Sequence, residues 1–231
     1  MIRGFIFDYG GTLDTCGCHW GRMIWHAYER HHVPVSEEQF RQAYVYAERR
    51  LGCEPIIMPH FTFRQTLQAK IHLQMQHLRL HDEALANFVV DDLYAQTASH
   101  TAHSISVLRQ LVDQWPLTLV SNFYGNLTTV LHEFAFDGLF HHVIESAVVG
   151  LRKPDEKIFL LTIQALNLQP HEVLVVGDSL KNDILPANRL GCHTVWLRGE
   201  QWEDDSTPAH VPGEIITDLS QLLVLSRTHN S

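Results

Sequence analysis

The chain has 231 residues and a formal net charge of −9, a length that suits one α/β domain carrying an insertion or two small domains. The acidic balance argues against a nucleic-acid partner, and it means that a local cation must hold any anionic substrate. No apolar run has the length of a signal peptide or a membrane span, and the four cysteines form no CxxC framework, so we expect a cytoplasmic protein with reduced thiols and no membrane partner.

The first predicted element is a short apolar strand, Ile2 to Phe7, which ends at Asp8 and a glycine-containing turn. A long stretch of helical pattern follows, in which Ser36 and Thr62 each open a capping box. The helices predicted there are His19–His32, Ser36–Gly52, Thr62–Leu80 and Asp82–Ala95. No strand candidate interrupts this stretch, so residues 15–96 are predicted to form a separate helical unit.

From Ser104 onward, helices and strands alternate. The predicted strands are Leu117–Val120, Val143–Glu145, Val173–Val176, His193–Leu197 and a short one at Ile215–Ile216. The predicted helices are Ile105–Trp115, Gly125–Phe134, Asp155–Leu166, Lys181–Leu190 and one after Asp218, and Gly199–Gly213 is predicted as a loop. This alternation is typical of an α/β fold with a doubly wound, mostly parallel sheet. Residues 1–14 and 97–231 would form that core.

Polar side chains follow three of the predicted strands: Asp8 the first, Ser121–Asn122 the second, and Asp178 the strong strand at Val173. In doubly wound sheets, ligands bind beyond the carboxyl ends of the strands, so these residues are predicted to meet. Together with Asp183, the carboxylates of Asp8 and Asp178 would suit Mg²⁺. On residue type alone, Asp178 and Asp183 could instead be helix caps, and Ser121–Asn122 an ordinary turn.

The four motifs resemble those of the haloacid dehalogenase-like hydrolase superfamily, and the helical unit is similar to that family's C1 cap. They are Asp8-x-x-Gly-Thr, Ser121–Asn122, Lys153–Pro154–Asp155 and Gly177–Asp178–Ser179-x-x-Asn182–Asp183. The resemblance implies a Mg²⁺-dependent phosphatase in which Asp8 attacks phosphorus and forms an aspartyl-phosphate. Ser121 and Lys153 would hold the phosphoryl group, although Lys153 alone could be a solvated surface lysine.

The resemblance further implies a metal site made by Asp8, the backbone carbonyl of Gly10, Asp178 and Asp183. Gly10, Gly11, Thr12 and Asn122 would bind the substrate, a small phosphorylated molecule, and the protein would be a monomer or a homodimer. The sequence departs from the family at Gly10. Phosphatases of the superfamily usually have a second aspartate there, which protonates the leaving group.

Three explanations of Gly10 stay open. The substrate has a good leaving group, or Asp14 or His19 supplies the proton, or the chemistry is not phosphate-ester hydrolysis. Phosphonatases dispense with that aspartate and use a lysine of the cap, and Lys70 is the only lysine between residues 15 and 96. A lone lysine on a helix is more often a solvated surface charge. A catalytically idle phosphate-binding protein is the alternative outside enzymes, and Cys16–Cys18–His19 could contact substrate or a metal.

Overall fold

The computed structural model describes residues 1–202 and 213–228. Six strands form one sheet in the order β3–β2–β1–β4–β5–β6, and every neighbouring pair is parallel. In chain order they are Gly4–Phe7 (β1), Leu117–Ser121 (β2), His142–Glu145 (β3), Val173–Gly177 (β4), His193–Leu197 (β5) and Glu214–Ile216 (β6). The predicted α/β fold with a parallel sheet is confirmed.

Four helices lie between β1 and β2, where the sequence predicts a helical cap, and this helical segment is called the cap below. They are Trp20–Arg30 (α1), Glu37–Cys53 (α2), Phe63–His77 (α3) and Glu83–Leu111 (α4). The later helices are Leu127–Glu133 (α5), Ser146–Val149 (α6), Glu156–Ala165 (α7), Leu185–Arg189 (α8) and Leu222–Thr228 (α9). In the described part of the chain, none of these helices has the length and hydropathy needed to cross a membrane.

Helices pack against both faces of the sheet. Successive side chains of a strand point to opposite faces, so neighbouring residues of β1 lie in different cores. Phe5 packs in the larger core, where its ring lies 5.5 Å from that of Trp115, together with residues of α4 and α5. Ile6 packs on the other face with Ile158 and Phe159 of α7. Burying an apolar side chain of this size contributes about 1.5–3 kcal/mol. Burial on both faces therefore stabilises the position of β1, and with it the position of Asp8 directly after the strand.

The two helices predicted at Asp82–Ala95 and Ile105–Trp115 are wrong, since α4 is one continuous helix of 29 residues. Thr101 and Ser104 lie between the two predicted helices and are buried. The Thr101 hydroxyl donates to the Thr97 carbonyl at 2.9 Å, and the Ser104 hydroxyl donates to the Leu13 carbonyl at 2.8 Å. Satisfied hydroxyls of this kind are tolerated inside a helix. The predicted boundary between cap and core at 96/97 lies within this helix, and the division itself stays a prediction.

The predicted loop Gly199–Gly213 lies partly outside the described residues. Its first part returns to the cap, where the ring of Trp202 lies 4.8 Å from that of Tyr44 on α2 and the Arg22 guanidinium donates to the Gln201 carbonyl at 3.1 Å. Gly21 on α1 allows this approach, because a Cβ there would overlap the Trp202 ring. Core and cap therefore make contact beyond the end of β5.

The capping box at the start of α3 offers a direct test of the cap's stability. The Thr62 hydroxyl accepts from the Gln65 backbone N–H at 3.2 Å, as the sequence predicts. We expect Thr62→Ala to lower the free energy of unfolding by about 1 kcal/mol, because one N–H at the helix start loses its acceptor. Chemical denaturation measures the change. Thr62→Ser keeps the hydroxyl and should stay near wild type, and equal losses in both variants would contradict the capping role.

Candidate active site

The ends of the central strands bring three carboxylates together. Asp8 follows β1 and Asp178 follows β4, its direct neighbour in the sheet, while Asp183 lies one turn further along the chain. One oxygen from each carboxylate lies within 4.8 Å of the others, and all three side chains are buried. Within residues 1–202 and 213–228, this is the one group of three or more acidic, histidine and cysteine side chains close enough to share an ion. The predicted convergence at the strand ends is present.

Lys153 supplies the ammonium group of the site. Its Nζ lies 2.6 Å from an oxygen of Asp8 and 2.6 Å from an oxygen of Asp183. The reading of Lys153 as a solvated surface lysine is wrong, since only 5% of the residue is exposed. Burial by itself would lower the pKa of Lys153, but Asp183 and Asp8 raise it above its ordinary value, so the group stays charged.

Asn122 lines the cavity, and its side-chain amide holds the backbone of Lys153 in place. Its side-chain amide donates to the Lys153 carbonyl at 3.0 Å, and its oxygen accepts from the Lys153 backbone N–H at 2.9 Å. Ser121, the last residue of β2, is buried and lines the same cavity as Asp8. Hydrogen bonds thus join the second motif, at Ser121–Asn122, to the third motif, at Lys153, and Lys153 contacts Asp8 of the first motif.

The charges of this group do not balance. Three buried carboxylates face one ammonium, so full ionisation would leave two uncompensated negative charges among buried side chains. Burial raises the pKa of Asp8 to about 6 against the opposing effect of Lys153. Burial, with Asp8 and Asp183 nearby, raises the pKa of Asp178 well above its ordinary value. Hard carboxylate oxygens with a charge deficit are a donor set that fits Mg²⁺.

The glycine turn after β1 lets Asp178 approach. Gly11 has a φ of +97°, and a Cβ there would lie 2.5 Å from the carboxylate carbon of Asp178. The Thr12 hydroxyl donates to the Asp178 carboxylate at 3.1 Å and accepts from the Asp178 backbone N–H at 3.0 Å. The structure therefore places the side chain of Thr12 against Asp178 rather than in the cavity, where substrate binding was predicted for it.

The helix predicted at Lys181–Leu190 has a different start. Residues Leu180–Ile184 form one π-helical turn, in which the Ile184 N–H donates to the Ser179 carbonyl at 3.2 Å, and α8 follows it. The wider turn aims Asp183 inward, where its second oxygen accepts from the Ser179 N–H at 3.1 Å. A Cβ at Gly177 would lie 2.5 Å from Cβ of Asp183. Such turns often occur at functional sites.

Neither predicted replacement for the missing acid is placed as a ready proton donor. Asp14 is fully buried, and its two oxygens accept from the Gly11 N–H at 2.7 Å and from the Trp20 indole N–H at 3.0 Å. Burial raises the pKa of Asp14 to about 7. His19 lines the cavity, but burial lowers its pKa to about 4, and its Nδ1 accepts from the Gly21 N–H at 3.0 Å, so the ring is neutral at pH 7.

The space above Gly10 is bounded by Trp20. A Cβ at Gly10 would meet the Cδ1 and Nε1 atoms of that indole at 4.0 Å, an ordinary van der Waals distance, and Gly10 needs no positive φ. The backbone therefore does not exclude an aspartate at this position. Among the residues that the structure describes, none requires glycine at this position.

A cavity of about 220 Å³ extends from these carboxylates to the cap. Its cap side includes Trp20, Phe63, Leu67, Glu48 and Lys70. The expectation that Lys70 is a solvated surface charge is wrong, since only 6% of the residue is exposed. Helical periodicity could not show which face of α3 meets the cavity, and it gave no reason to select Glu48.

Comparisons with known proteins concern the sequence and the fold. A protein-family model described as haloacid dehalogenase-like hydrolase matches residues 2–191. Glyceraldehyde 3-phosphate phosphatase from Pyrococcus furiosus is 40% identical over 97 residues, which are 41% of this chain and 40% of that protein. The match thus spans less than half of that relative's length.

Solved structures show the same fold across nearly the whole chain. The HAD-hydrolase YfnB from Bacillus subtilis, bound to magnesium, superposes with a TM-score of 0.59 at 16% identity and covers 98% of this chain and 99% of its own. L-2-haloacid dehalogenase from Xanthobacter autotrophicus, with chloropropionic acid covalently bound, gives a TM-score of 0.63 at 17% identity and covers 98% and 99%. Identities this low concern the fold alone.

The raised pKa of Asp14 predicts a pH dependence of stability. The pKa is about 7 in the folded protein and 3.8 ordinarily, so the folded state holds this proton to higher pH than the unfolded chain does. Protonated Asp14 therefore makes its full contribution to stability at pH values below 3.8. This contribution is lost as the pH rises towards the folded-state pKa of about 7. We expect Asp14→Asn, which cannot ionise, to gain stability relative to wild type between pH 5 and 7, by at most about 1.4 kcal/mol per pH unit.

Denaturation of both proteins at several pH values gives the difference between their free energies of unfolding, in which the other carboxylates cancel. Asp113→Asn, at an exposed position, is the control and should follow the wild-type curve. Parallel curves for wild type and Asp14→Asn would contradict the prediction.

Proposed function

We propose a phosphatase function for this chain, which belongs to the haloacid dehalogenase-like hydrolase family. The substrate would be a small phosphorylated metabolite, and Asp8 would be the nucleophile. The observation that supports this most strongly is the buried group of three carboxylates around one ammonium, at the strand ends where such a sheet binds ligands. The phosphatase named among the relatives supports the same reaction class.

The reaction proceeds in two displacements. An oxygen of Asp8 attacks phosphorus, the bond from phosphorus to the leaving oxygen breaks, and the leaving group departs with its electron pair and takes up a proton. Water then attacks the phosphorus of the aspartyl-phosphate, which releases inorganic phosphate and restores the Asp8 carboxylate. Lys153 contacts Asp8 at 2.6 Å, so its ammonium can neutralise charge that develops on the phosphoryl oxygens, and Ser121 offers a hydroxyl at the same edge.

Asp8, Asp178, Asp183 and the Gly10 carbonyl would hold Mg²⁺. When bound there, the ion supplies positive charge opposite the phosphoryl oxygens. The three carboxylates fit this role, because the only cation that contacts them among the described residues is Lys153. The four cysteines are free thiols, which accords with the expected cytoplasmic setting.

The phosphonatase alternative is less well supported. A Schiff base needs a neutral amine, whereas the Lys70 ammonium lies 2.7 Å from a carboxylate oxygen of Glu48. Burial would lower the pKa of Lys70, but Glu48 opposes it and the net shift is upward, so the amine is protonated.

A catalytically idle phosphate-binding protein remains the second candidate, and Gly10 is the observation that favours it.

The reaction class is tested by phosphate release from acyl, aryl and alkyl phosphates and from a phosphonate, with and without Mg²⁺. We expect Mg²⁺-dependent turnover of at least the acyl and aryl phosphates. Asp8→Asn should abolish it, because the amide is a poor nucleophile. No turnover of any compound, in protein that still binds Mg²⁺, would support the idle binding protein instead. Turnover that survives Asp8→Asn would overturn the assigned nucleophile.

The absence of an acid at Gly10 predicts a strong dependence on the leaving group. Wild-type rates should fall steeply as the pKa of the leaving alcohol or phenol rises, because nothing at this position donates a proton. Gly10→Asp should flatten that dependence and raise the rate for alkyl phosphates by about 10² to 10⁴. Gly10→Asn is the matched control, since it has the same size but no acidic proton. No response of either variant would show that another group already supplies the proton, and an equal gain in both would show that the gain does not come from an acidic proton.

A further inference from the structure

The cap end of the cavity contains an ion pair that the proposed reaction does not use. Lys70 on α3 and Glu48 on α2 lie with Nζ and a carboxylate oxygen 2.7 Å apart, and their side chains are 8% and 30% exposed. The Tyr124 hydroxyl, from the segment after β2, donates to the other oxygen of Glu48 at 2.8 Å. Both members of the pair line the cavity that contains Asp8.

The surroundings of Lys70 are aromatic. Its Nζ lies 5.7 Å from the ring centre of Trp20 and 5.3 Å from that of Tyr124. Burying an ion pair costs desolvation energy, and well-packed apolar residues could join two helices at least as stably. The pair is therefore better explained by contact with a ligand than by stability. An ammonium has three donors, and Glu48 needs only one of them.

The charges of this end of the cavity sum to zero. Among the described residues that line the cavity, those on the cap carry one positive charge at Lys70 and one negative charge at Glu48, and the ring of His19 is neutral. A carboxylate on the substrate would enter as an uncompensated buried charge, which is costly. A hydroxyl group can accept from Lys70 and donate to Glu48, so it satisfies both partners without adding charge.

We propose that Lys70 and Glu48 select substrates whose organic part is uncharged and bears hydroxyl groups. The inference rests on the proposed function, because it assumes that the phosphoryl group occupies the end of the cavity at Asp8. The cavity volume of about 220 Å³ limits the organic part to a small molecule. Lys70 and Glu48 are thus specificity-determining residues, and they do not take part in the displacement at phosphorus.

Binding can be measured without turnover in the Asp8→Asn variant, by calorimetry in the presence of Mg²⁺. The probes are glycerol phosphate, phosphoglycerate and propyl phosphate, which have three carbons each and differ in hydroxyl groups and charge. We expect glycerol phosphate to bind about tenfold more tightly than either of the others, equivalent to about 1.4 kcal/mol. Phosphoglycerate would be disfavoured by its carboxylate and propyl phosphate by its lack of hydroxyls.

Two substitutions in that background change the charge in opposite directions. Glu48→Gln leaves one excess positive charge, so the preference should shift towards phosphoglycerate by about tenfold. Lys70→Met leaves one excess negative charge and should weaken the binding of phosphoglycerate further relative to glycerol phosphate. Glu54→Gln is the control, because Glu54 pairs with Arg50 at the exposed end of α2 and is absent from the cavity lining among the described residues. This variant should keep the original preference.

A purely structural role for the pair would weaken binding of all three probes equally and leave their order unchanged, which would overturn the inference. Tighter binding of phosphoglycerate than of glycerol phosphate before any substitution at Lys70 or Glu48, or no binding of any probe, would also overturn it. Failure of the proposed function shows separately, as absent phosphate release by the wild-type protein. The two failures are therefore distinguishable.

Discussion

The contact of one buried ammonium with two carboxylates, while a third carboxylate lies beside them, is the constraint on which the rest of this structure depends. Lys153 lies 2.6 Å from both Asp8 and Asp183, and Asp178 completes the group. Such a charge excess is unfavourable in a folded protein unless a bound cation or a proton relieves it. The parallel sheet concentrates these charges at one edge, and the hydrogen bonds to Thr12, Asn122 and Ser179 keep the groups from moving apart.

The cavity has two ends with different charge balance, and each end contains one buried lysine. The end at Lys153 has an excess of negative charge and suits a divalent cation with a phosphoryl group. The end at Lys70 is neutral because Glu48 matches it, and it suits an uncharged polar group. Trp20 lies between these parts, beside Gly10, and Asp14 holds its indole N–H at 3.0 Å. The network of Asp14 and Trp20 therefore shapes the cavity where the family's usual acid would project.

Much of the fold could be predicted because its signals are local. The capping boxes at Ser36 and Thr62 placed the starts of α2 and α3, and the continuous apolar run at Val173 marked the buried strand β4. The continuity of α4 could not be predicted, because it depends on tertiary burial of threonine and serine hydroxyls. The carboxylate group followed from strand ends, whereas Lys70 and Glu48 depend on which helix faces meet the core.

Calorimetric titration of the wild-type protein and Asp178→Asn with Mg²⁺, in the absence of substrate, tests the central claim most directly. If the carboxylate excess forms a cation site, the wild-type protein should bind one Mg²⁺ per chain, and removal of the Asp178 charge should weaken binding by at least about tenfold. Wild-type protein that binds no Mg²⁺, or Asp178→Asn with unchanged affinity, would contradict the account.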